Sequence, residues 1–187
     1  KGVYSLPHPV QPRMPIINAA GSEEGRVFAM RNADFLFTPV FDFDQAKATV
    51  VDITERAANV KRKVDVLTLC TVVCRPTQQE ADDYLHWYAD EQADWGAVDN
   101  LMTLQGMHAQ SFTPEALAMY RDRMAAGHGG FPLVGTPDAI ADLLEKLSET
   151  GIAGTTLAFV DYAKEFPYFR QEVLPRLEAK GLRQPVS

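Results

Sequence analysis

The stretch Ala20-Gly21-Ser22-Glu23-Glu24-Gly25 joins a short apolar run, Pro15 to Ala20, to a helical pattern. A strand that ends in Gly-Ser and opens a helix gathers several free backbone N–H groups at one point, with a hydroxyl beside them. Such a cluster is an anion cradle, and phosphate is its usual guest. Gly25 keeps the first helical turn low, which allows a closer approach. Glu23 and Glu24 favour the helix dipole but repel a phosphate unless they point outward. The same residues also describe a tight strand-to-helix turn with Ser22 as a plain N-cap. Local sequence leaves both readings open.

Other chemistry finds little support. The four histidines, His8, His86, His108 and His128, form no metal-ligand spacing, so no metal site is expected. No GxSxG elbow, GxGxxG fingerprint or Walker pattern occurs. Gly127-His128-Gly129-Gly130 reads as a hinge rather than a nucleotide loop. Tyr84, Trp87 and Tyr88 read as helix-packing residues before a stacking platform. Cys70 and Cys74 are the only cysteines. Four apart in a strand, they point to one face about 13 Å apart along the chain. That is too far for a disulfide, so two small buried hydrophobes in a reducing, cytoplasmic setting are expected.

The elements that must position these residues alternate. Strands are expected over residues 15–20, 35–39, 64–74 and 154–159. Helices are expected from about Glu23 to Asn32 and from about Asp44 to Val60. In the second, Ala46, Val50, Ile53, Ala57 and Val60 form an apolar stripe. Val64–Cys74 is a continuous apolar run that suits a strand covered on both faces. Thr77-Gln78-Gln79-Glu80 has the form of a capping box. Weaker helical signals cover Ala97–His108, and Thr113-Pro114-Glu115 opens another helix. Gly135-Thr136-Pro137-Asp138 starts a helix with Ile140, Leu143, Leu144 and Leu147 on one face, and Gly151 ends it in the left-handed region. A last helix runs from Glu165 to Lys180, with Pro175 inside it bending it. This alternation argues for an α/β parallel sheet with helices outside.

Bulk properties narrow the partners. With 187 residues, 46% hydrophobic, the chain can bury one sizeable core, and a single domain over 1–187 is expected. The net charge of −7 disfavours nucleic acid. No run of about 18 apolar residues exists to span a membrane, and the first residues lack the apolar core of a signal peptide.

Two blocks, "PVQPRMPIINAAGSEEGRVFAMRNADFLFTP" at 9–39 and "GGFPLVGTPDAIADLLEKLSETGIAGTTLAFVDYAKEFPYFRQEVLPRLEAKGLR" at 129–183, resemble the bacterial luciferase-like flavin monooxygenases. The likeness is greatest to the branch with dimethylsulfone, pyrimidine and nitrilotriacetate-type monooxygenases. It implies a (β/α)8 TIM barrel with a helical insertion, here about residues 77–130, before the last strand. It implies reduced FMN (FMNH2) from a separate flavin reductase, O2, and a small organic substrate oxidised through a flavin C4a-(hydro)peroxide. It assigns the FMN phosphate to Ala20, Gly21, Ser22 and Gly25, and it assigns no catalytic residue. Phe37, Thr38 and Phe159 end strands and are expected at the ligand-binding face.

Members of that family are about twice as long. Four strands here match the last four β/α units, which leaves two strand edges and an apolar inner face open. Either an N-terminal half is missing or it is supplied in trans, with closure of two half barrels into a homo-oligomer as one form of this. The rival readings are an F420-dependent oxidoreductase on the same superfold and a non-catalytic flavin-binding or assembly half barrel.

Overall fold

The computed structural model describes residues 10–11, 13–107 and 113–185. His8 and His108 fall outside them. The element order is β1 (Ile17–Ala19), α1 (Glu23–Asn32), β2 (Phe35–Phe37), α2 (Phe43–Asn59), β3 (Asp65–Cys74), α3 (Gln78–His86), a π-helical turn (Trp87–Glu91), α4 (Trp95–Leu104), α5 (Pro114–Gly127), β4 (Phe131–Gly135), α6 (Pro137–Glu149), β5 (Gly154–Ala158) and α7 (Tyr162–Ala179).

Helix starts follow the side chains expected of them. Thr77 and Glu80 form a reciprocal capping box, and Thr113 and Thr136 each cap a helix whose first turn carries proline. Gly151 takes φ +94° after α6. The last helix starts earlier than its apolar pattern does, because Asp161 accepts from the amides of Ala163 and Lys164.

All strand pairings are parallel, and β3 is the hub. Leu67 pairs with Phe37 of β2 on one side and with Gly154 of β5 on the other. Cys70 and Thr71 pair with both β4 and β5. Hence β2 and β4 lie end to end along one edge of β3, and β5 takes the other. The continuous sheet is β1-β2-β3-β5, the four expected strands. Strand β4 is an addition to the strands expected from the sequence, and it follows directly on the insertion of α3, α4 and α5.

The alternation of side chains separates two faces. Leu36, Val66, Thr68, Cys70 and Val72 face the helices and are buried. They meet Ile53 and Ala57 of α2, Ile140 and Leu147 of α6, and Phe169 and Val173 of α7 in one core. Each large side chain so buried stabilises by about 1.5–3 kcal/mol. The opposite face carries Ile17, Phe35, Phe37, Leu67 and Leu69, and among the described residues nothing buries these five. Ile17 is 59% exposed, and the other four are half-buried. Among the described residues β1 pairs only with β2 and β5 only with β3, so both outer edges are open.

Cys70 and Cys74 are free and buried. Burial pushes both thiols up to about 11. Among the described residues no helix is long and apolar enough to cross a membrane.

The glycines at the end of α5 form no hinge. A Cβ on Gly127 would lie 2.5 Å from Thr71 Oγ1, one on Gly130 2.6 Å from the same atom, and one on Gly129 2.8 Å from the Tyr120 hydroxyl. Thr71 also donates to the Gly127 carbonyl at 3.1 Å. Gly127 and Gly130 are small so that the insertion can seat on β3, and Gly129 makes room for Tyr120. Gly127→Val is therefore expected to lose about 1–3 kcal/mol by overpacking, measured by urea unfolding. A free hinge would show almost no change.

Candidate functional site

The turn after β1 is built by the chain itself. The Ala20 amide extends the ladder to the Phe37 carbonyl at 3.2 Å. Ser22 is extended, with φ −81° and ψ 158°, and caps α1: its Oγ accepts from the Gly25 amide at 3.2 Å. Its carbonyl accepts from the Arg26 amide at 3.0 Å. Among the described residues the amides of Gly21, Ser22, Glu23 and Glu24 find no acceptor. All four residues are exposed. Four free N–H groups at a helix start can hold one anion.

The two glycines serve different ends. A Cβ on Gly21 would meet nothing within 4 Å, so the space over the turn is open. A Cβ on Gly25 would lie 2.8 Å from the Ala20 Cβ and 3.3 Å from Ser22 Oγ. The close approach at Gly25 is therefore that of the strand end, not of a ligand.

Glu23 is drawn away from the turn. Arg56 of α2 grips its carboxylate with two contacts, of which the longer is 3.3 Å. That hydrogen bond holds the Glu23 carboxyl below its ordinary range. Arg56 also pairs with Asp52 at 3.0 Å. The charge of Glu23 is thus neutralised on the α2 side, which lifts half of the electrostatic objection to an anion here.

The strand-end residues divide. Phe37 lies on the open inner face, level with Ala19 and Leu67. Thr38, one step further, falls on the helix side; it is 1% exposed and its hydroxyl is unpartnered. Phe159 packs edge-to-face on Phe169 of α7 at 5.5 Å. Thr38 and Phe159 are therefore withdrawn from the ligand face, and Phe37 keeps its place there.

A second polar group was not foreseen. Arg75, just after β3, pairs with Glu165 in the first turns of α7 at 2.7 Å, with the Glu165 side chain only 9% exposed. Glu165 Oε2 also accepts from the amides of Val160 and Asp161 at 3.1 and 3.4 Å. Arg75 donates to the Cys74 carbonyl at 2.8 Å and stacks on Tyr84, 3.9 Å from the ring centroid. Ninety positions separate the ion-pair partners, so no local signal could have revealed them. Burial, with Glu165 beside it, raises the Tyr84 phenol. Tyr88 is a packing residue whose hydroxyl donates to the Ala126 carbonyl at 2.9 Å. His86 lies between Asp90 and Glu91, at 3.1 and 3.4 Å. Among the described residues no group of three side chains is arranged to hold a metal ion.

Comparison with known proteins adds to this geometry. Residues 1–154 match the model of the luciferase-like monooxygenase family. The FMNH2-dependent dimethylsulfone monooxygenase of Pseudomonas fluorescens is 32% identical over 95% of this chain and 51% of its own length. The long-chain alkane monooxygenase of Geobacillus thermodenitrificans is 28% identical over 94% of this chain and 44% of its own. The chain spans about half the length of the curated relatives it matches. Among solved structures, DmoA from Hyphomicrobium sulfonivorans superposes with a TM-score of 0.76 over 91% of this chain and 42% of that one, at 22% identity. The likeness in fold and the parallel β1-β2-β3-β5 sheet agree on a partial TIM barrel.

Proposed function

Because this chain belongs to the luciferase-like monooxygenase family, we propose that it is the C-terminal half of an FMNH2-dependent monooxygenase. The observation that carries this reading is the set of free amides at the C-terminal end of β1. Barrel enzymes take their ligands at that end of the strands. The residues fit a flavin phosphate: Gly21 leaves room above the turn, Ser22 adds a hydroxyl, and Glu23 is tied to Arg56.

In this reading the amides of Gly21 to Glu24 hold the phosphate of FMN, and Ala20 and Gly25 shape the turn by packing on each other. Reduced FMN supplies the electron pair that activates O2. The protein's part is placement and the exclusion of water. Phe35, Phe37, Leu67 and Leu69 give the barrel interior an apolar wall. That wall sheds water only when a second half closes it. The chain alone is inactive, and the partners of the closed enzyme are a flavin reductase, O2 and a small organic substrate. The two free buried thiols suit the cytoplasm.

The test is titration of FMN, riboflavin and F420 into this chain, alone and combined with the N-terminal half of the Pseudomonas fluorescens relative. FMN is expected to bind at least about tenfold tighter than riboflavin, equivalent to about 1.4 kcal/mol from the phosphate. Oxygen use with a reductase is expected only in the combined form. Equal binding of riboflavin would remove the phosphate from residues 20–25. Binding of F420 without FMN would change the cofactor. A combined form that binds FMN but uses no oxygen would be a flavin carrier and no enzyme.

A further inference from the structure

A cavity of about 450 Å³ opens between α3, the π-helical turn and the first turns of α7, beside the C-terminal ends of β3 and β5. Its size suits a small ligand. Tyr84, Trp87 and Tyr168 give it aromatic walls, and the Arg75–Glu165 pair lies against them. Trp87 is 50% exposed although it is among the largest apolar side chains of the insertion. It opens the π-helical turn, a local distortion common at functional sites.

The charges of the lining cancel in pairs. Glu165 neutralises Arg75 at 2.7 Å, and Asp161 neutralises Lys164 at 3.0 Å. An ion gains nothing from entering. Yet Arg75 carries five N–H donors in a planar fork. Two of them are assigned, to the Cys74 carbonyl and to Glu165. Its stacking on Tyr84 holds the fork in place beside the cavity.

We propose that this cavity binds a small uncharged aromatic or heteroaromatic compound bearing an acceptor oxygen, such as an aryl ketone or sulfone. The ring lies against Trp87 and the tyrosines, and the oxygen accepts from Arg75. Glu165 sets the preference for a neutral ligand by cancelling the guanidinium charge. The site requires neither flavin nor closure of the barrel, so its test is independent of the flavin reading.

Trp87 and Trp95 are the only tryptophans, so a Trp95→Phe chain reports Trp87 fluorescence alone. Acetophenone and benzoate, alike in shape and different in charge, are titrated into it without flavin. Acetophenone is expected to bind at least tenfold tighter than benzoate. Glu165→Gln is expected to reverse that order, because Arg75 then presents an uncancelled charge. A change of mere packing would weaken both ligands alike. Trp87→Ala, a truncation of a side chain that is 50% exposed, is expected to weaken acetophenone at least tenfold in a chain whose circular dichroism is unchanged, read by saturation-transfer NMR. Three outcomes would each overturn the proposal: no binding of acetophenone, binding unmoved by Trp87→Ala, or a folded Glu165→Gln chain that still prefers the ketone.

Discussion

With Ser22→Ala and Gly25→Asp combined, FMN is expected to bind the closed barrel at least about tenfold more weakly, a loss of about 1.4 kcal/mol or more. Two separate causes act. Ser22→Ala removes the hydroxyl that caps α1, for about 1 kcal/mol of helix stability, and frees the Gly25 amide from its 3.2 Å bond. Gly25→Asp places a Cβ 2.8 Å from that of Ala20. The end of β1 or the first turn of α1 must then shift, and the four free amides no longer converge. The added carboxylate repels phosphate as well. Isothermal titration with FMN and with riboflavin separates the parts. Riboflavin lacks the phosphate, so its affinity should change much less. Unchanged FMN affinity in a folded double variant would place the phosphate away from residues 20–25. Gly25→Ala alone tests the steric part: it carries the clash without the charge.

Phe169→Ala is expected to destabilise the chain by about 3–5 kcal/mol, among the largest effects of any single truncation here. Phe169 is fully buried. Its ring meets Phe159 at 5.5 Å in an edge-to-face pair, where Phe159 is also touched by Tyr162 and Phe166. Removing the ring opens a cavity between α7 and the end of β5 that backbone relaxation fills only in part. For a chain of this length each kcal/mol moves the midpoint by roughly 2–4 °C, so Tm should fall by about 10 °C. Phe166→Ala is the control. Phe166 is 42% exposed, and its truncation should cost much less. A Phe169→Ala chain that melts within about 2 °C of the unchanged protein would mean that α7 is not seated on β5 in solution.

The candidate turn was legible from its own residues because the interactions that make it are short. Ser22 caps an amide three positions away. The reason for Gly25 was not legible, since it lies in the contact with the Ala20 Cβ at the strand end. The role of Glu23 was not legible, since its partner Arg56 lies 33 positions along the chain. Strand β4 was missed for a specific reason. Its second residue is Pro132, which cannot donate to a ladder. The structure tolerates it because, among the described residues, β4 pairs only with β3, with Pro132 opposite Thr71. The glycines before it looked like a flexible break because Thr71, which Gly127 and Gly130 pack against, stands 56 positions before Gly127.

Helix starts and stops, the apolar period of each helix, the alternation of strands with helices and the family motifs at both ends follow from the sequence alone. They depend on hydrogen bonds and side-chain spacing within a turn or two of chain, where order along the sequence is order in space. Only the tertiary structure decided that Phe159 turns to the helices, that Gly127 and Gly130 pack on β3, that Glu23 is tied to α2 and that Arg75 meets Glu165. Those depend on which distant residues the parallel sheet sets side by side, and no local pattern records that.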